Sequence, residues 1–330
     1  VTQSQRTGPM RLTWLLGLIA ALALLAAACE EDVADEPVDD EPVDDEPVDE
    51  EEPEDDEPDD EAQLDTVTIG MVEWAENIAN TALWEEILTE EGYDVEVEVL
   101  DPGAVFAGVA DGQLDLFLDM WLPVTHGEYE EEFGDDFENL GTWYDGDAAL
   151  NLTVPEYVDD IDEIPDLIGE GDRFDNEIVG IDAGSGLAQT TNEEVMPGYG
   201  LDEDGWEHLE SSEATMLAEL DSAIAAEEDI VVTLWTPHWS YAEYDLKVLE
   251  DPEGHYGDLE ELYAISREGL AEDDPQLVEW IENFMMSEEE LAELSQYIED
   301  DEQFDFEDEN EAARAWWDEN EDLVDEWLGR

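Results

Sequence analysis

The sequence predicts an α/β protein of two lobes with a ligand cleft between them. Three observations carry this reading. Strand and helix patterns alternate from residue 64 to 118, and the alternation restarts after residue 154. Three tryptophans, Trp74, Trp121 and Trp235, each follow an apolar, strand-like run. In an open α/β sheet, ligands bind just outside the carboxyl ends of the strands. Indole faces brought there from three strands would form a box. Such a box suits a cation that donates no hydrogen bonds, such as a quaternary ammonium.

The elements follow in order. Residues 66–72 are a short β-branched run. Residues 78–91 carry helical spacing at Ile78, Leu83 and Ile87 and stop at Gly92. Val95, Val97 and Val99 alternate with Glu96 and Glu98, the period of a half-buried strand. Residues 104–110 read as a helix and 114–118 as a strand. This β-α-β-α-β order implies a mostly parallel sheet with right-handed crossovers. The second unit has strands at 178–181 and 230–234 and helices at 187–195 and 214–226. The tail is helical over 275–286, 287–298 and 309–328, with Pro275 at a helix start and Ser287 as an N-cap. Two α/β lobes with a helical tail fit a hinged clamp.

Formal net charge is −95 over 330 residues. Of the 102 acidic residues, 22 lie in 30–63, which leaves 80 against five basic residues in 64–330. Phosphate binding needs clustered Lys and Arg, so nucleic acid is excluded as a partner. Self-repulsion at this charge destabilises a compact state, and concentrated salt relieves it by shortening the Debye length to about 3 Å at 1 M. A saline or alkaline habitat is expected. Residues 64–330 hold 11 of the 12 tryptophans, enough to build a core.

Arg6 and Arg11 precede an uncharged run from 12 to 28 that ends in three alanines before Cys29. A basic segment, an apolar segment and small residues before a cut site read as a secretory signal over 1–28. The run is also near the shortest length that spans a membrane, so an uncleaved anchor is the alternative. Cys29 is the sole cysteine and makes no intramolecular disulfide. Its position after small residues resembles a bacterial lipobox, which implies lipidation at Cys29 and a membrane anchor. Val1 is an unusual start, and Met10 is another plausible one. Residues 29–63 then form an acidic linker with Pro37, Pro42 and Pro47 in a five-residue period. Such a segment buries no apolar surface and is expected to be disordered and extended.

A second constellation is Asp182-Ala183-Gly184-Ser185-Gly186-Leu187, which follows a strand and opens a helix. Glycines let a backbone approach an anion, and a helix start offers free N–H groups. It lacks the ending of a P-loop and the third glycine of a dinucleotide fingerprint. Read with the tryptophan box, it points to a zwitterion with an ammonium at one end and a carboxylate at the other. His126, five residues after Trp121, is placed to donate to that carboxylate. Neither a metal-ligand cluster nor a nucleophile elbow occurs, so metal, cofactor and hydrolytic chemistry have no support.

These stretches resemble the glycine betaine-binding proteins of osmoprotectant ABC importers over residues 64–290. The matching segments are Val72-Glu73-Trp74, Trp121-Leu122-Pro123 with Thr125-His126, Gly184-Ser185-Gly186, and Trp235-Thr236-Pro237-His238-Trp239. The resemblance implies a type II periplasmic-binding-protein fold. It assigns 64–153 and 244–330 to lobe I and 154–243 to lobe II. It places an ammonium cage on Trp74, Trp121 and Trp235, with Trp239 as the substitute for Trp235. It places the carboxylate on Gly186, Leu187 and His126. It further implies a monomer without enzymatic activity that delivers glycine betaine or a related zwitterion to an ABC permease outside the cytoplasmic membrane. Choline or carnitine is the alternative ligand, and an enzyme acting on a methylated amine the more distant one. The chain departs from the family pattern at Ala183, where proline is usual, at Leu234, where glycine is usual, and at Glu213, which interrupts the usual Ser-Ser-Ala-Ala-Met.

Overall fold

The computed structural model describes residues 63–299 and 308–330. The expected signal segment, Cys29 and almost all of the linker lie outside them. Among the described residues no helix is long and apolar enough to cross a membrane.

Among the described residues twelve strands run in chain order: β1 Thr66–Met71, β2 Asp94–Val99, β3 Leu116–Leu122, β4 Phe137–Thr142, β5 Tyr144–Asp145, β6 Ala149–Pro155, β7 Glu177–Val179, β8 Glu207–Leu209, β9 Val232–Thr236, β10 Leu246–Val248, β11 Glu261–Arg267 and β12 Met286–Ser287. They build two five-stranded sheets, β2-β1-β3-β11-β4 and β10-β6-β9-β7-β8, and a small pair β12-β5. Each large sheet has three parallel strands, β2-β1-β3 in one and β8-β7-β9 in the other. Each then adds two antiparallel strands, β11-β4 and β6-β10. The two lobes are thus built on one plan. The expected parallel core is present, and the antiparallel strands are what the alternation pattern did not disclose.

The chain crosses between sheets twice, between β5 and β6 and between β10 and β11. The crossings are joined at Ala148–Glu260, where Glu260 N donates to Ala148 O at 2.8 Å. The expected lobe limits at 153/154 and 243/244 therefore fall inside the second sheet. The first lies within β6 and the second between β9 and β10, where β10 pairs with β6.

Local chemistry explains the main helices. Ala75–Glu91 ends at Gly92, whose φ of 101° is left-handed and open to glycine. Its Trp84, Ile87 and Leu88 are fully buried. Ser185, Ser212 and Asp274 cap their helices by accepting from Ala188, Thr215 and Leu277 N–H groups. Ser287 and Glu290 form a reciprocal cap on helix Glu288–Glu299, as expected. The tail expected as one helix over 309–328 breaks at Asn320 into Glu309–Glu319 and Glu321–Trp327. Trp327 stacks on Trp84 at 6.4 Å, while Arg314 and Arg330 pair with Glu90 and Glu91. Trp316, Trp317 and Trp327 are packing residues, all buried.

The surface charge has one consistent feature. All five basic residues of the folded region sit in ion pairs. Arg173 meets Asp160, Glu170 and Asp229; Lys247 meets Asp162; Arg267 meets Asp115 and Asp273; Arg314 and Arg330 each join two acids.

Candidate functional site

The shared plan of the lobes puts equivalent strand ends face to face. Trp74 follows β1, and Asp182 follows β7, the corresponding strand of the other sheet. Trp121 lies near the end of β3, and Trp235 near the end of β9, again in corresponding places. The sequence expectation put Trp121 and Trp235 just past their strands; the strands run on to include them. Each is followed two residues later by a cis proline, Pro123 or Pro237.

The three indoles line one cavity enclosing about 280 Å3, together with Glu76, Thr125, Leu150, Ile181, Ser185 and Leu187. A larger cavity of about 760 Å3 lies on the far side of Glu76 and includes His238 and Trp239 in its wall. Trp239 does not reach the smaller cavity. The convergence of three indoles, rather than size, marks the smaller one as the candidate site.

Each cage indole is held by a carboxylate. Trp74 Nε1 donates to Asp182 Oδ2 at 3.2 Å, Trp121 Nε1 to Asp119 Oδ1 at 2.9 Å, and Trp235 Nε1 to Glu76 Oε2 at 2.8 Å. The first and last of these bonds cross between lobes. A carboxylate at the N–H edge fixes ring orientation. It also adds electron density to the face, which strengthens attraction for a cation.

The start of helix Gly186–Thr190 brings Ser185 and Leu187 into the cavity wall. Ser185 caps the helix, and the Gly186 and Leu187 N–H groups enter no hydrogen bond among the described residues. A Cβ at Gly186 would lie 1.9 Å from the Thr125 carbonyl oxygen, so only glycine permits this approach of the lobes. Thr125 is held in turn by the buried Glu260, which accepts from Val124 N, Thr125 N and Thr125 Oγ1.

His126 is fully buried and stacks on Trp74 at 5.7 Å between centroids. Its Nδ1 accepts from Trp121 N at 2.8 Å, which leaves Nε2 to carry the proton, and Nε2 has no partner. Burial pushes its pKa down to about 3, so the ring is neutral. Neither His126 nor Gly186 is part of the cavity wall itself; both lie just behind it.

A cluster of acids lies behind the cage. Glu76, Asp119 and Glu213 are 3%, 0% and 7% exposed. Burial, then Glu213, pushes Glu76 up to about 7. Burial, then Glu76, raises Asp119 well above the usual carboxylate range, and Asp119 lies within hydrogen-bonding reach of Glu76. Burial pushes Glu213 up to about 8, against the hydrogen bond from Ala75 N. Glu213 Oε1 also meets His238 Nε2 at 3.1 Å; burial lowers His238 to about 4. Sequence reasoning missed Glu76, Asp119 and Asp182. The signal was present for one: Asp119 and Trp121 are two apart on a strand and share a face.

The chain matches a family model described as the substrate binding domain of ABC-type glycine betaine transport system, over residues 65–319. It belongs to that family. The chain is 38% identical over 180 residues to a glycine betaine/carnitine transport binding protein of Listeria monocytogenes, a match covering 54% of this chain and 56% of that one. It thus spans about half the length of that relative. The fold superposes on lactococcal OpuAC in its closed-liganded conformation with glycine betaine, with a TM-score of 0.73 at 28% identity, covering 80% of this chain and 100% of that one. It superposes as well on a choline binding protein of an ABC transporter in complex with choline, at 0.72 and 25%, covering 80% and 91%. The fold is therefore the two-lobe type II binding-protein fold, and the family is a non-enzymatic one.

Proposed function

We propose that this protein captures glycine betaine or a close relative in the cleft and delivers it to an ABC permease. The single observation that carries this reading is the convergence of Trp74, Trp121 and Trp235 on one small cavity. Three desolvated faces at up to roughly 2 kcal/mol each approach the about 8 kcal/mol that micromolar affinity needs. The unpaired N–H groups of Gly186 and Leu187, with the neutral His126 behind them, favour a carboxylate at the other end of the ligand. Trp235, rather than Trp239, supplies the third wall.

Choline is the second reading, and the carboxyl of Glu76 in the cavity wall favours it. Choline would leave the Gly186 and Leu187 donors without an acceptor, which costs affinity. The site belongs outside the cytoplasmic membrane, with Cys29 as lipid anchor and residues 30–63 as tether. Titration calorimetry in molar salt tests the ligand. Glycine betaine should bind with micromolar or tighter affinity and choline far more weakly; no heat with any betaine would end this reading.

A further inference from the structure

The structure places Glu213 at the cleft between the lobes. It begins helix Glu213–Ala226 of the second lobe. Its carboxyl reaches across to accept from Ala75 N of the first lobe at 3.1 Å. There its charge acts on Glu76, the residue next to Ala75, and on Asp119, both of the first lobe. Three carboxyls are buried together. Among the described residues none of them pairs with Lys or Arg, because all five basic residues are engaged elsewhere. His238 is the one basic side chain in contact, and burial keeps it neutral. Asp119 Oδ2 has no donor, which leaves it to face Glu76 through a proton.

We infer that Glu213 makes closure of the cleft conditional on a ligand cation. Carried by the second lobe against the Glu76–Asp119 pair, it adds a negative charge to a site that holds no fixed positive one. This rests on the betaine-type reading above and adds a reason why the ligand must be charged. Opening the lobes parts Glu213 from the pair and returns it to water. Closing them empty brings like charges together in a dry place, which is costly unless they take up protons. A quaternary ammonium seated beside Glu76 supplies the missing positive charge.

Other titratable groups face the cluster. Asp182, after β7, faces Glu213, and Glu299, at the end of helix Glu288–Glu299, faces His238. Asp147, Glu288, Tyr144 and Tyr241 share the larger cavity with Glu76. The nearby acids reinforce the effect. Its sign follows from the raised carboxyl values. Closure without a cation takes up protons and becomes harder as the pH rises from the ordinary carboxylate range toward 7–8. Closure over a cation lacks this dependence.

The test compares glycine betaine with tert-butylacetate, its uncharged-carbon isostere, by calorimetry on the full chain in molar salt. The affinity ratio of betaine to isostere should rise by about tenfold or more between pH 5.5 and pH 8.5. E213Q keeps an acceptor for Ala75 N and should flatten that rise. A constant ratio in the wild type, with betaine bound, overturns the inference and leaves the betaine reading intact. Absence of betaine binding at every pH overturns the betaine reading instead. An unchanged rise in E213Q would remove the role from Glu213; if that variant does not fold, by its far-UV spectrum, the wild-type ratio decides alone.

Discussion

Trp235→Ala and Trp239→Ala should separate sharply, although the two residues are four apart and both lie beside His238. Trp235 is 4% exposed, pairs with Leu150 across β6 and β9, and donates to Glu76. Its face closes the small cavity. Trp239 stacks on His238 at 5.6 Å and faces the other cavity. Removing Trp235 deletes one cation-facing wall, worth about 2 kcal/mol when desolvated. At about 1.4 kcal/mol per factor of ten, that is roughly a thirtyfold weaker affinity. The bond to Glu76 is lost as well, so thirtyfold is a lower limit. Trp239→Ala should change affinity by less than about threefold on the same scale. Emptying the buried Trp235 site also costs roughly 3–5 kcal/mol of stability, against a total of about 5–15 kcal/mol, and the half-buried Trp239 site less. Each variant therefore needs a melting curve in molar salt before its titration. Betaine titrations by calorimetry, on variants with native far-UV spectra, make the comparison. Equal losses for the two variants, or a larger loss for Trp239→Ala, would refute the placement of the third wall.

Three further outcomes are expected. Melting temperature should rise steadily as salt is raised from about 0.1 M to 1 M, where the Debye length falls from about 10 to 3 Å, since among the described residues every Lys and Arg is already paired and the acid excess remains; a flat curve would show that repulsion is not limiting. Glu260→Ala removes the acceptor for Val124 N, Thr125 N and Thr125 Oγ1, so betaine affinity should drop and unfolding free energy fall by about 1–3 kcal/mol in denaturant titration; full retention of both would show that Glu260 does not hold the Thr125 turn. Glu76 and Glu213 have values raised in the folded state, so the folded chain binds more protons than the unfolded one. The ligand-free melting temperature should therefore decline as pH rises from 5 toward 8, and saturating betaine should lessen the decline; a ligand-free rise over that range contradicts the buried positions.

The sequence disclosed the parallel half of each sheet because alternating strands and helices leave a period that can be read locally. It did not disclose β11 or β4, whose partners lie more than a hundred residues away, nor that β6 and β10 share a sheet. The lobe limits expected at 153/154 and 243/244 were drawn without that pairing. Trp74, Trp121 and Trp235 could be grouped in advance because strand ends have a known use. Two of their carboxylate partners, Asp182 and Glu76, could not, since they reach their indoles only across the cleft. Glu213 was visible as an anomaly in the motif, but its meaning depends on what the other lobe places beside it.

The pairing of every basic Lys and Arg side chain among the described residues has a consequence for how this protein meets proteases. After residue 63 the chain offers trypsin five basic residues, Arg173, Lys247, Arg267, Arg314 and Arg330, and Arg330 is the last residue of the sequence. Each is held by at least one carboxylate, and Arg314 together with Arg330 fastens the tail onto helix Ala75–Glu91. Cleavage at Arg314 thus requires the tail to lift from the body first. The rate of that one cut reports how often the tail detaches, in a chain that gives the enzyme few other places to start.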